Sequence, residues 1–309
     1  MVKLGPNASV IGLLIFGTAC SLIAKIIYYI PANSITGAVQ KFEKPWFAVL
    51  AMFVGMSLCV VLDRPLPRRR VDRGQATEEE QQGLLAGDKA GGSSRTAPSI
   101  WIINFPTLLD LFATACGTTG LLYTSVSVYQ MLRGAQLVFT AILSILFLKR
   151  RLLWYNWVGI GFSCMGIALV GFANILSEGN ASGRASQTFG VMIIILGQIM
   201  QASQVVLEEF LLRDMKMSSI RIVAYEGLFG VLHMLAWVLP VVYLLPGRDH
   251  GHLEDSLDSF YMFSHTGMVF FVIAIDMAMM LLYNICGMGV TQNLSAVHRV
   301  VVRQEVFLS

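Results

Sequence analysis

Charge is what this chain has least of. Only 13% of its 309 residues are Asp, Glu, Lys or Arg, while 55% are hydrophobic, too little polar surface to coat a water-soluble domain of this size. It also lacks a membrane-metalloenzyme histidine motif, a nucleophile elbow and a glycine loop built to cradle phosphate, so an enzyme reading has nothing to rest on. Its five cysteines, Cys20, Cys59, Cys116, Cys164 and Cys286, all lie inside apolar stretches, which argues against a disulfide framework and for small packing residues. His250, His252 and His265 have no cysteine beside them and fit no standard metal spacing. They read as solvated loop residues, and no metal or other cofactor is expected. The net charge of +3 gives no basis for nucleic-acid binding.

What is abundant is apolar sequence in blocks of about 17–25 residues, the length a helix needs to cross a lipid bilayer. Eight blocks run approximately from Ala8 to Ile30, Trp46 to Leu62, Ile100 to Tyr123, Ser125 to Leu148, Trp154 to Leu176, Phe189 to Leu212, Val223 to Leu245 and Gly267 to Gly289. Continuous blocks imply helices, since barrel strands alternate polar and apolar residues over shorter stretches. The chain is therefore predicted to be an all-α polytopic membrane protein. The first block is too long for a signal peptide and is interrupted by Lys25, which reads either as a cavity residue or as a cation snorkelling to the interface.

If the spans alternate, Lys3, the Arg64–Arg73 cluster, Lys149–Arg151, Arg213, Lys216 and Arg221 fall on one side, which the positive-inside rule makes cytoplasmic together with the amino terminus. Asn180-Ala-Ser182 then faces the lumen or exterior, where glycosylation is chemically possible. Residues Asp63–Pro98 read as a disordered cytoplasmic loop. Within it, Glu80, Leu84 and Leu85 resemble an acidic dileucine signal read by clathrin adaptors, pointing first to lysosome or endosome, then to Golgi or mitochondrion. In the acidic connection Pro246–Thr266, Leu253, Leu257 and Phe260 have helical spacing and predict a short interfacial helix.

The sharpest local signal is Arg133, inside an apolar run. A charge there costs roughly 2.5–3.5 kcal/mol on insertion scales, so it is expected to face a bundle interior or an aqueous cavity. Gln130, Arg133, Gln136 and Thr140 share one helical face, and Gln198, Gln201, Gln204 and Glu208 repeat the stripe on a later span. Glu209 follows directly. Asp110 and Asp276 are isolated carboxylates, each read as a coupling-proton group or as the partner of a cation such as Lys25 or Arg133. Asp276 shares a face with Tyr283 and Asn284. Gly159, Gly161, Gly166 and Gly171 predict close helix packing. Thr291–Ser309 reads as the first turns of a ninth span.

Several segments resemble the F subfamily of the solute carrier 35 family, within the drug/metabolite (EamA-like) transporter superfamily. They are Ser127-Val-Tyr-Gln-Met-Leu-Arg-Gly-Ala135, Val206-Leu-Glu-Glu209, Glu226-Gly-Leu-Phe-Gly230, Leu253-Glu-Asp-Ser-Leu-Asp258 and Ser295-Ala296 with Arg299. The resemblance implies ten helices in two inverted five-helix repeats: residues 1–176, a connection at 177–188, and 189–309 as an incomplete second repeat lacking the last one to two helices. It implies alternating access around a central site. Tyr129, Gln130, Arg133, Gln136, Gln198, Gln201 and Gln204 are then candidates for contact with a small polar or anionic substrate. Lys25, Asp110, Glu208, Glu209, Glu226, Asp276 and Asn284 are candidates for coupling or gating. The competing reading is a non-transporting membrane adaptor or truncated isoform that binds a membrane partner; a homodimer is also open.

Overall fold

The computed structural model describes residues 5–62, 100–149, 154–177 and 181–308. The sorting signal at Glu80, Leu84 and Leu85 and the acceptor Asn180 lie outside them. The described chain is mostly helical, as apolar blocks must be if every backbone amide is to be satisfied internally. Helix α1, Pro6–Tyr29, starts with proline in its first turn, where no amide donor is needed, and its 24 residues span ~36 Å. A short antiparallel hairpin follows, β1 Pro31–Asn33 paired with β2 Val39–Lys41, with Gly37 taking the left-handed position of its turn at φ +79°.

Helix α2, Pro45–Ser57, is shorter than its apolar block, and the chain re-forms as α3, Cys59–Leu62. The Ser57 hydroxyl donates to the Val54 carbonyl at 2.7 Å, a back-bond that competes with the helical ladder at the interruption. A 3₁₀ turn, Ile100–Ile103, leads into α4, Asn104–Tyr123. The next span is divided into α5, Val126–Leu132, and α6, Ala135–Leu148. Two long helices follow, α7 Trp154–Ser177 and α8 Ala181–Arg213. Helix α9, Ser219–His233, continues through a π-helical turn, Met234–Val238, into α10, Leu239–Leu244; Pro240 has no amide for the normal ladder, and the π turn absorbs the misfit. Short α11, Ser256–His265, forms where the acidic connection predicts a helix. Helices α12, Gly267–Asn293, and α13, Ala296–Leu308, complete the described chain.

Six described segments are long and apolar enough to cross a membrane: Pro6–Tyr29, Ile100–Tyr123, Val128–Leu148, Gln187–Arg213, Ser219–Leu244 and Gly267–Asn293. The other two of the eight predicted blocks are helical but carry shorter apolar stretches, Pro45–Ser57 and Trp157–Gly166. Helix α1 packs along α12, α4 along α8, and α2 against both α9 and α12. Glycines bring these backbones into contact. A Cβ at Gly55 would lie 2.8 Å from the Met277 carbonyl oxygen, and one at Gly190 would lie 2.7 Å from Tyr123 Cβ. Three of the α7 glycines predicted for that role, Gly159, Gly161 and Gly166, meet nothing within 4 Å of a Cβ among the described residues, and Gly171 lies outside those whose side-chain surroundings are described. Cys164 is likewise exposed rather than packed, and all five cysteines are free thiols.

The connections at one end of the bundle are tied together by a charged clasp. Lys44, just before α2, is buried, and its ammonium bonds both Asp249 and Asp258, the latter at 3.1 Å. Asp258 also accepts the Ser34 hydroxyl and the Ile35 amide, each at 2.8 Å. Glu254 accepts the Trp46 and Phe47 amides at 2.7 and 2.9 Å, satisfying the first turn of α2 where the helix dipole favours an anion. Asp249, His250 and Asp258 bring donor atoms within 4.8 Å of one another, but the Lys44 ammonium already bonds both carboxylates. His252 and His265 are not simply solvated: their rings stack on Tyr243 and Tyr261, with centroids 4.0 Å apart in each pair.

Burial pushes the Glu254 carboxyl up to about 7, against the opposing pull of the two amides and Lys44. Burial also raises Asp258, but the Ile35 amide, Ser34 hydroxyl and Lys44 outweigh it and hold Asp258 below the usual carboxylate value. Because Glu254 binds its proton more tightly when clasped than in water, clasp stability grows as pH falls from about 7 toward 4.5. It weakens as pH rises through 7, by up to about 3 kcal/mol in all. The Asp258 contribution is lost only at lower pH. Thermal unfolding of the purified chain between pH 8 and 5.5 should show a rise in Tm toward acid that Glu254→Gln flattens. In the same assay Gly55→Ala is expected to cost about 1–3 kcal/mol through overpacking, while Gly159→Ala is neutral or slightly stabilising.

Candidate functional site

At the junction of α5 and α6 the backbone stays right-handed, but its amides bond three residues back. Gly134 donates to Met131 at 3.0 Å, and Gln136 and Leu137 donate to Arg133 and Gly134 at 3.1 Å each. This single tight turn advances each residue by ~120° instead of ~100°. The face expected for Gln130, Arg133, Gln136 and Thr140 is therefore not kept. Gln130 is exposed and directed away, whereas Tyr129, Arg133 and Gln136 line a central cavity of about 320 Å³. Thr140 and Ser144 are buried beyond it, and among the described residues Gln136 Nε2 and both hydroxyls have no hydrogen-bond partner.

The cavity lies between α1, α2, α4, α5, α6, α8, α9, α12 and α13. Helix α8 supplies Gln198, Gln201 and Gln204, α4 supplies Asp110, α9 supplies Glu226 and α12 supplies Asn284, all among the predicted residues. Gln201 donates to Asp110 at 3.2 Å and also bonds the Gln204 carbonyl oxygen. The Gln204 amide then donates to Glu208 and Glu226, at 3.0 Å each, and Glu208 accepts from Arg299. One hydrogen-bonded chain thus links carboxylates on α4, α8 and α9 to a guanidinium on α13. Arg299 has little room to move, since a Cβ at Gly287 would lie 2.9 Å from its Nε.

Four other predicted residues lie off the cavity wall. Glu208 is buried behind it in the ion pair with Arg299. Glu209 accepts the Ala296 amide at 2.8 Å and lies 3.6 Å from Arg213, so it holds the start of α13. Asp276 is buried in α12, and among the described residues its Oδ1 has no hydrogen-bond partner and neither Lys25 nor Arg133 forms an ion pair with it. Lys25 is exposed near the end of α1 and lines a separate cavity. With Gln130 these are the departures from the predicted wall. Arg299, Arg303 and Tyr283 line the cavity without having been singled out for it. The i, i+4 spacing of Arg299 and Arg303 places both on one face of α13, a signal hidden by reading that segment only as the opening of another span.

The cavity wall carries three guanidinium groups and two carboxylates, with Glu208 compensating Arg299 from behind. Arg133 Cζ lies 6.0 Å from the centre of the Tyr129 ring, and Arg303 Nε is buried without a partner. Forked donors beside amide and carboxylate acceptors can hold a small solute bearing both acidic and hydroxyl or ammonium groups.

A family model described as the EamA-like transporter family matches residues 84–172. The protein "Solute carrier family 35 member F6" from Homo sapiens, and its counterpart from Pongo abelii, are each 30% identical over 295 residues, covering 94% of this chain and 76% of theirs. An uncharacterised Schizosaccharomyces pombe protein is 27% identical over 63% of this chain.

The buried Glu208–Arg299 pair sets a stability test. Arg299→Met strands a buried carboxylate and should cost about 3–5 kcal/mol, whereas Arg299→Met combined with Glu208→Leu should recover most of that loss in thermal unfolding.

Proposed function

Because the chain belongs to solute carrier family 35, among the EamA-like transporters, we propose that it moves a small polar or anionic metabolite across a membrane by alternating access, with the central cavity as its solute site. The observation that carries this reading is the position of the cavity. It holds Arg133 at a broken helix in the middle of an apolar span, a place where irregular backbone and charge are tolerated only beside a polar interior. Arg133 and Arg303 supply the cations for an acidic group on the solute. Gln136, Gln198 and Gln201 supply neutral donors and acceptors, and Asp110 and Glu226 take an ammonium, a hydroxyl or a proton.

Alternating access needs two gates. The Lys44 clasp is our candidate at one end, and the Glu208–Arg299 and Glu209–Ala296 contacts are our candidate at the other. The basic loop bias supports a cytoplasmic amino terminus, and the Glu80-Leu84-Leu85 pattern supports lysosomal or endosomal residence through a clathrin adaptor.

Vesicles containing the full chain, loaded with a mixture of small metabolites and read by mass spectrometry, test the proposal. Wild type should move at least one acidic or zwitterionic species. Arg133→Ala should lose about tenfold or more of that flux at equal protein content, and Arg133→Lys should keep part of it. Unchanged flux in Arg133→Ala would remove Arg133 from the site, and no flux in wild type would overturn transport itself.

A further inference from the structure

A second cavity, larger than the central one, lies near the clasp. Roughly 850 Å³ in volume, it opens between the last turns of α1 and α4 and is walled by the hairpin and the start of α2. Lys25 and Lys41 face it, with Glu43 and the ring of Trp46 beside them. Among the described residues Lys25 has no hydrogen-bond or ion-pair partner, and the Lys41 ammonium touches only the Tyr29 ring, 5.1 Å from its centre. Its rim is apolar and outward-facing: Leu122 is 71% exposed and Tyr29 72% exposed. Two uncommitted cations, one carboxylate and an apolar rim at the end of membrane-spanning helices have complementary chemistry in one common molecule. A lipid headgroup at this depth offers a phosphodiester, and its acyl chains run along the exposed faces of α1 and α4.

We propose that this lateral cavity binds a zwitterionic phospholipid, its phosphate held by Lys25 and Lys41 and its ammonium facing Glu43. The site is distinct from the solute cavity but adjoins it, because Thr118 lines both. It also flanks the clasp through Glu43, Trp46 and Leu253, the neighbours of Lys44 and Glu254. A bound headgroup therefore buttresses the clasped state, and an empty site leaves two lysines on one cavity wall with a single carboxylate, Glu43, among its lining residues.

Native mass spectrometry of the full chain in mild detergent, titrated with a phosphatidylethanolamine, tests this. The wild type should retain one lipid preferentially, and Lys25→Gln with Lys41→Gln should weaken retention by about tenfold. Both lysines are exposed, so the double variant should melt as wild type does without lipid; if it does not, Lys25→Met alone decides by the same titration. Glu43→Gln should shift preference toward phosphatidylglycerol, which has no ammonium, and an unchanged preference would refute the role given to Glu43. Equal retention by the lysine variants, or of a diacylglycerol without phosphate, would overturn the site. Binding of free phosphoethanolamine as tight as that of the lipid would make it a soluble-anion site and overturn the lipid assignment.

Discussion

A buried ammonium holds this molecule closed. Lys44 is out of water, and an isolated lysine there would be untenable, so its surroundings must compensate it: Asp249 and Asp258 supply opposite charge, and Ser34 and Ile35 donate to the Asp258 oxygen that Lys44 does not bond. Those partners come from the α1–α2 hairpin and from the α10–α12 connection. The clasp therefore fixes how the early helices α1 and α2 stand against α12, and with them one end of the central cavity. Breaking such a pair on one side leaves the other charge buried, which is why it behaves as a lock rather than as a decorative surface bridge.

The cavity wall repeats this logic in smaller units. Gln204 sits between two carboxylates on different helices and donates to both, while its own carbonyl oxygen takes a bond from Gln201. An amide can do this because it carries donors and acceptors without a charge that must itself be neutralised. Gln136, Thr140 and Ser144 show the opposite condition. Gln136 Nε2 and the two hydroxyls form a column of buried polar atoms along α6 with no hydrogen-bond partner among the described residues, the kind of surface that water or a solute hydrates.

Much of this was legible from residue type and spacing. Helical blocks of membrane length followed from hydropathy, and the α8 stripe of Gln198, Gln201 and Gln204 followed from its 3.6-residue period because that helix runs unbroken. The same argument misplaced Gln130, since a local change to three-residue turns at Arg133 is not written in polarity. The glycine reading met a similar limit: Gly159, Gly161 and Gly166 on α7 touch nothing among the described residues, while Gly55 and Gly190 set helix contacts. Spacing along one element says nothing about what lies opposite. For that reason the clasp, whose members are separated by the whole bundle, was visible only as an acidic connection and a stray lysine.

That separation bears on how the protein is made. Lys44 meets Asp249 across 205 residues of sequence, and α1 finds its main partner in α12, which begins at Gly267. At ~5–20 residues per second, a ribosome needs about 10–40 s to deliver the aspartates after the lysine. Throughout that interval α1 and α2 lack α12, and the faces of Gly12 and Gly55 are without the Cys286 and Met277 contacts that cover them. Biogenesis of this chain thus contains a built-in waiting period, in which Lys44 exists without either of the aspartates that bond it in the finished fold.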